Sequence, residues 1–146
     1  MAILPGGTVL PMTYTAAAAI VVGSPVYRSG AGEITTSSLT NATVTRAKDT
    51  FGIFVGTASG GDAVTGDTDC QVAIGAVECN AGDAITEGDE VVAFYSATSG
   101  LTTVSAVLTT LVLADTIVGT AIGTGAAAGK VAINVSCRKV ETAVTP

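Results

Sequence analysis

The chain has no histidine and no tryptophan, and only 12% of its 146 residues are charged. Each scarcity excludes something. A serine or cysteine nucleophile is usually activated by a histidine base; none is present, and no Gly-x-Ser-x-Gly elbow occurs. Enzymatic turnover is therefore not expected. Aromatic residues make up 4%, too few for the exposed rings on which sugars stack, so a β-sandwich carbohydrate or adhesion module is a weaker alternative. The basic residues Arg28, Arg46, Lys48, Lys130, Arg138 and Lys139 are scattered along a chain of net charge −6. Binding a nucleic-acid backbone needs concentrated positive charge, so no nucleic-acid partner is expected.

Cysteine is also sparse. Cys70, Cys79 and Cys137 form no C-x-x-C pair and have no histidine to join them, which argues against structural zinc. They read as buried reduced thiols acting as small hydrophobes, with a Cys70–Cys79 disulfide left open. Long apolar runs are missing too. Ala16 to Val22 is far shorter than the roughly twenty residues of a membrane-spanning helix. No membrane partner follows, and "MAILPGG" lacks the charged start and apolar core of a secretory signal, so synthesis in the cytoplasm is expected.

What the chain does have is threonine, valine, alanine and 18 glycines, with 48% hydrophobic residues. That favours short strands and tight turns over helices, and supplies enough apolar material for one compact domain. The phrase "GTGAAAGKVAINV" resembles a phosphate-binding loop only superficially. Gly125 leaves three residues before Gly129-Lys130 and Gly123 leaves five, where four are needed. Val131 supplies no hydroxyl for Mg²⁺, and the alternating residues that follow are a strand.

Two halves share a weak order of anchors. "AIVVGSPVYRSGAGEITT" is answered by "AITEGDEVVAFYSATSGLTT", Val55-Gly56-Thr57-Ala58 by Val118-Gly119-Thr120-Ala121, and Val72-Ala73-Ile74 by Val131-Ala132-Ile133. The expected fold is all-β: a compact barrel-like or sandwich-like domain built from two weakly similar halves, residues 16–79 and 80–138. An extended N-terminal arm (1–15) precedes them and a tail (139–146) follows. "TVSAVLTTLVLAD" has apolar spacings of three and four and reads equally as a short helix or a strand.

Asp62, Asp67 and Asp69 cluster in a loop but lack the ordered spacing of a calcium site; two of Asp83, Glu87, Asp89 and Glu90 could in principle pair as general acid and base, but carboxylates flanking glycine turns usually face water. They read as solvated turn acids, and neither metal nor cofactor is expected. The candidate contact residues lie elsewhere. Pro5, Gly6, Gly7 and Pro11 keep the arm extended, and Ile3, Leu4, Val9, Leu10 and Tyr14 give it more apolar surface than a free tail should carry. Docking on a partner by strand addition is expected, the alternative being a first strand of the domain's own sheet. The loop from Gly60 and Gly61 through Asp62, Asp67 and Asp69 is a second candidate.

The phrases "AGDAITEGDEVVAF", "SGLTTV" and "TIVGTAIGTGAAAGKVAINV" resemble the capsid cement, or decoration, proteins of tailed bacteriophages, best from Asn80 to Val135. The first half departs, with Ser24-Pro25 where the second has Asp89-Glu90 and with the added "TNATVTRAKDTFG". The resemblance implies a β-rich, non-enzymatic virion protein on the outer capsid surface. Its partners would be the major capsid protein and its own copies, as a homotrimer or a dimer. It would clamp neighbouring capsid subunits after head expansion. A self-assembling tail or pilin-like subunit is the nearest rival.

Overall fold

The computed structural model describes residues 3–36, 50–94, 100–103 and 116–139, which form ten strands and no helix. In chain order these are β1 (Thr8–Val9), β2 (Thr15–Ala16), β3 (Pro25–Gly30), β4 (Glu33–Thr36), β5 (Thr50–Gly56), β6 (Gln71–Asn80), β7 (Glu90–Phe94), β8 (Gly100–Thr103), β9 (Thr116–Ala121) and β10 (Lys130–Lys139). The all-β expectation holds. The segment that reads equally as helix or strand, residues 103–115, falls outside the described residues but for Thr103.

The strands pair in the order β2-β4-β3-β5-β6-β10-β9-β7-β8, with β1 on β6, and this sheet does not close on itself. Its centre is a palindrome of two four-strand units. In the first, β3 and β4 form a hairpin, β5 takes the other edge of β3, and β6 pairs with β5; β7 to β10 repeat the plan, and β6 meets β10 in the middle.

The repetition extends to single bonds. Val26 faces Thr36 and Gly52, as Val91 faces Thr103 and Gly119. Both ladders then slip, skipping Phe51 in one unit and Val118 in the other. Ile20 exchanges both backbone bonds with Ala63, and Ile85 does so with Gly125. The N–H of Gly23 donates to Phe54, and that of Gly88 to Ala121. Even the side-chain caps correspond: the Asp62 carboxylate accepts from Val22 N–H at 2.9 Å, and the Thr124 hydroxyl from Glu87 N–H at 3.2 Å.

This register corrects two of the sequence anchors. The counterpart of Gly119 is Gly52, four residues before Gly56, and the counterpart of Val72-Ala73-Ile74 is Ile133-Asn134-Val135. The physical reason lies in sheet packing. A Cβ on Gly119 would overlap the carbonyl of Asn134, and one on Gly52 would press on Val72 and the carbonyl of Ala73. Both glycines let their strand approach its neighbour closely. Gly56 has no such role against β6; its φ of 129° serves the turn toward Gly60.

The apolar side chains gather in two clusters. One joins β5 and β6 to the second unit through Ile53, Val77, Val91, Leu101, Val118 and Ile133; the other lies within the first unit around Tyr14, Ile20, Val26, Ile34, Phe54 and Val72. Every described side-chain polar atom that is buried has a hydrogen-bond partner, as a close-packed interior requires.

Candidate interaction surface

The arm is a strand of the domain's own sheet. Thr8 and Val9 pair antiparallel with Ile74 and Ala73, and Ile3 bridges Val77 farther along β6. Leu4 N–H donates to Ala76 (3.0 Å), Leu10 N–H to Val72 (2.8 Å), and Tyr14 and Cys70 exchange backbone bonds at 2.9 and 3.1 Å. Ile3 and Val9 pack on the larger apolar cluster and Leu10 on the smaller; Tyr14 is 2% exposed. Of the two fates open to this segment in the sequence, the structure adopts the internal one. Tyr14 is spent on the domain's own core, while Ile3, Leu4, Val9 and Leu10 are only partly buried and Met12 is 52% exposed.

The second candidate, the loop through Gly60, Gly61, Asp62, Asp67 and Asp69, is exposed for most of its length and internally tied. Thr57 N–H donates to Gly61 and Gly60 N–H to Thr57. Beyond the Asp62 cap, Asp67 accepts from Val64 N–H at 2.9 Å and Asp69 from Ala58 N–H at 3.1 Å. Asp83 and Asp89 likewise accept the N–H groups of Ala84 and Thr86. These carboxylates act as turn caps. Tyr14 bridges Cys70, next to the loop's end at Asp69, while Ile3 bridges Val77, seven residues farther along the chain, about 23 Å. The two do not form one patch.

A feature absent from the sequence reading lies between them. Past Gly75, whose φ is 75°, β6 exchanges its partner β5 for β10. The ends of those two partners diverge around an open hollow of about 790 Å³. Thr50 and Phe51 of β5 form one wall, Val135, Ser136 and Cys137 of β10 the other, with Ile74 between and Arg28 of β3 at the rim. The Arg28 guanidinium carbon stands 4.9 Å from the centroid of Phe51 and 5.8 Å from that of Tyr14. Its Nη2 donates to the Tyr14 hydroxyl at 3.4 Å, and the two rings meet edge to face at 5.5 Å. Cation–π contact fixes the cation without neutralising it. The sequence does not single out Arg28 and Phe51 because the two rings and the cation come from distant segments, brought together by the β3–β5 pairing and the Tyr14–Cys70 bridge.

All three cysteines are thiols, so the open Cys70–Cys79 disulfide is not formed. Burial drives the Cys79 thiol far above its ordinary pKa against the opposing pull of Lys130. Burial, then the charges of Asp69 and Asp67, raise Cys70. Neither is poised as a thiolate. Among the described residues, no three histidine, cysteine, aspartate or glutamate side chains gather where a metal could bind.

No protein-family model matches the chain, and no curated protein matches it. Among solved structures it is similar to the crystal structure of the head fiber gp8.5 N base in bacteriophage phi29. The match has a TM-score of 0.52 at 18% identity and covers 93% of this chain and 99% of that one. At this identity the likeness establishes a common fold.

Proposed function

We propose that this chain is a structural protein of a bacteriophage head, a domain that binds the outer surface of the assembled capsid. The observation that carries the reading is the span of the structural match: nearly the whole of this chain corresponds to nearly the whole of a head-fiber base. The chemistry is compatible with that role. The carboxylates of the exposed loops cap turns, the two most buried thiols are held protonated, and the net charge of −6 favours a dispersed, soluble domain. No catalytic step is assigned to it.

Within this reading the domain acts as a cement. Many copies, each binding weakly, bury surface across the joints between major capsid subunits. The shell gains stability because the protein binds the assembled lattice in preference to free subunits. The structural neighbour favours a second form of the same reading, in which the domain is the base by which a fiber is held on the head.

Mixing purified protein with undecorated expanded shells, followed by pelleting and calorimetry, tests both. Saturable co-pelleting with a raised shell melting temperature is the result expected of a cement. Co-pelleting with unchanged shell melting supports the fiber-base form. Protein that stays in the supernatant at all ratios overturns the head-surface reading, and open-ended polymers formed without shells would favour a tail or pilin-like subunit. A homotrimer of the 14.2 kDa chain is the expected solution state by light scattering.

A further inference from the structure

The outer face of the β6–β10 ladder carries three side chains that the fold does not require. Asn80 and Lys130 are direct cross-strand partners, and Glu78, two residues before Asn80 and on the same face, is the diagonal neighbour of Lys130. The first unit shows what the fold alone asks for. Its bridge Tyr14–Cys70, two residues before the Ala16–Ile34 pair, corresponds to Cys79–Val131, two residues before Ala81–Leu101. Beside that bridge the positions of Asn80, Lys130 and Glu78 are held by Thr15, Asp69 and Thr13. The equivalent ladder therefore forms without an amide, an amine and a carboxylate.

Local geometry brings these groups together. Asn80 is 9% exposed. Its Nδ2 donates to the Val22 carbonyl at 3.0 Å, which fixes the plane of the amide, and its Oδ1 accepts from Lys130 Nζ. Nζ also donates to the Val22 carbonyl, at 3.3 Å. The turn at Gly23 closes over the pair. A Cβ there would lie 2.7 Å from Oδ1 and 3.1 Å from Nζ, whereas one on the equivalent Gly88 would meet nothing within 4 Å. An amine bonded to an amide oxygen stands about 3–4 Å from the amide carbon, close to the near-attack separation of about 3–3.5 Å. Glu78 is half-buried and forms no ion pair among the described residues. Its charge and that of Lys130 both act on the buried Cys79 thiol between them.

We infer that Asn80 and Lys130 join through an intramolecular isopeptide bond. Lys130 Nζ, as the neutral amine, attacks Asn80 Cγ with its lone pair and passes its surplus proton to the Glu78 carboxylate. The Cγ–Nδ2 bond then breaks with its electron pair on Nδ2, which takes the proton from Glu78 and leaves as ammonia. One amide replaces another, nothing is oxidised or reduced, and the step needs no co-reactant. The product ties the end of β6 to the start of β10 across 50 residues of chain. A cross-link over that length restrains the unfolded chain, and it lies where the two units meet. The inference concerns this chain alone and stands whether or not the protein binds a phage head.

Intact-mass spectrometry of the purified full chain, followed over time at neutral and mildly alkaline pH, is the test. Each molecule is expected to lose one ammonia, about 17 Da, and to do so faster at the higher pH because the nucleophile is the neutral amine. Trypsin should cease to cut after Lys130, whose charge is lost to the new amide. Ammonia also leaves when an asparagine closes on its own backbone, so Lys130→Arg separates the two routes and should keep the full mass. Glu78→Gln should slow the joining at least about tenfold. Circular dichroism confirms that each variant is folded. The inference is overturned if the mass of the unaltered chain does not fall, if trypsin still cuts after Lys130 in the lighter species, or if Lys130→Arg loses ammonia equally fast. An undiminished rate in Glu78→Gln overturns the assignment of Glu78 as proton carrier.

Discussion

At the scale of single residues, the comparison of the two units exposes a local strain. Ala128 has a φ of 63°, a left-handed conformation in which its counterpart is Gly66, at 94°. The two sit in matching turns: Gly66 N–H donates to Ala16, and Ala128 N–H to Ala81. An alanine in this region costs about 1–2 kcal/mol, while a glycine lowers stability through the unfolded chain by about 0.4–1 kcal/mol. Strain wins, and Ala128→Gly should stabilise the protein by about 0.5–1 kcal/mol. Ala127→Gly, at a neighbouring exposed position without positive φ, should do the reverse. Urea midpoints of the two variants decide the matter, and a lowered midpoint for Ala128→Gly would show that the turn is unstrained. The sequence "GTGAAAG" could not reveal this, because a run of small residues does not say which one turns left-handed.

At the scale of elements, the arm is the informative case. Its apolar content showed that it must be buried, but burial is a demand that either a partner or the chain's own sheet can meet. What decides it is the free edge of β6, which offers backbone partners to Leu4, Leu10 and Tyr14. Tyr14 closes the smaller core, so Tyr14→Ala should cost about 3–5 kcal/mol, as for other buried aromatics. Tyr14→Phe should cost about 1 kcal/mol or less, since only the hydroxyl's bond to Arg28 is lost. Thermal unfolding monitored by circular dichroism measures both; a loss below about 1 kcal/mol for Tyr14→Ala would make the ring peripheral. Removing residues 1–14 thus probes the fold before it probes any partner. The paired halves were legible because their turn anchors, Ile20-x-x-Gly23 and Ile85-x-x-Gly88, recur at the same bonds. The β5–β9 match was misplaced because valine, glycine, threonine and alanine fill both strands, and composition alone cannot distinguish a four-residue shift that preserves the alternation of faces.

At the scale of the molecule, β6 makes one domain out of two units. Its residues Gln71–Ala73 belong to the ladder with β5, and Gly75–Asn80 to the ladder with β10. Asn80 continues the link through its side chain, donating to the Val22 carbonyl at 3.0 Å and accepting from Lys130. Opening the second unit would strip β6 of its β10 partner and expose Val77 and Cys79, both 0% exposed. The larger apolar cluster also draws on Ile53 and Val55 of the first unit, so the cost of separation falls on both. Two independently stable halves would instead need separate cores. The equivalent amides of Phe54 and Ala121, bonded to Ser24 and Asp89, should therefore exchange with solvent through the same global opening. Native-state hydrogen exchange is expected to give them opening free energies within about 1 kcal/mol of each other and equal denaturant slopes. A much lower value at Ala121 would mean that the second unit opens alone while the first stays folded. A domain that opens only as a whole keeps both walls of the Arg28 hollow together, whereas an independently opening second unit would dissolve its β10 wall while β5 still stood.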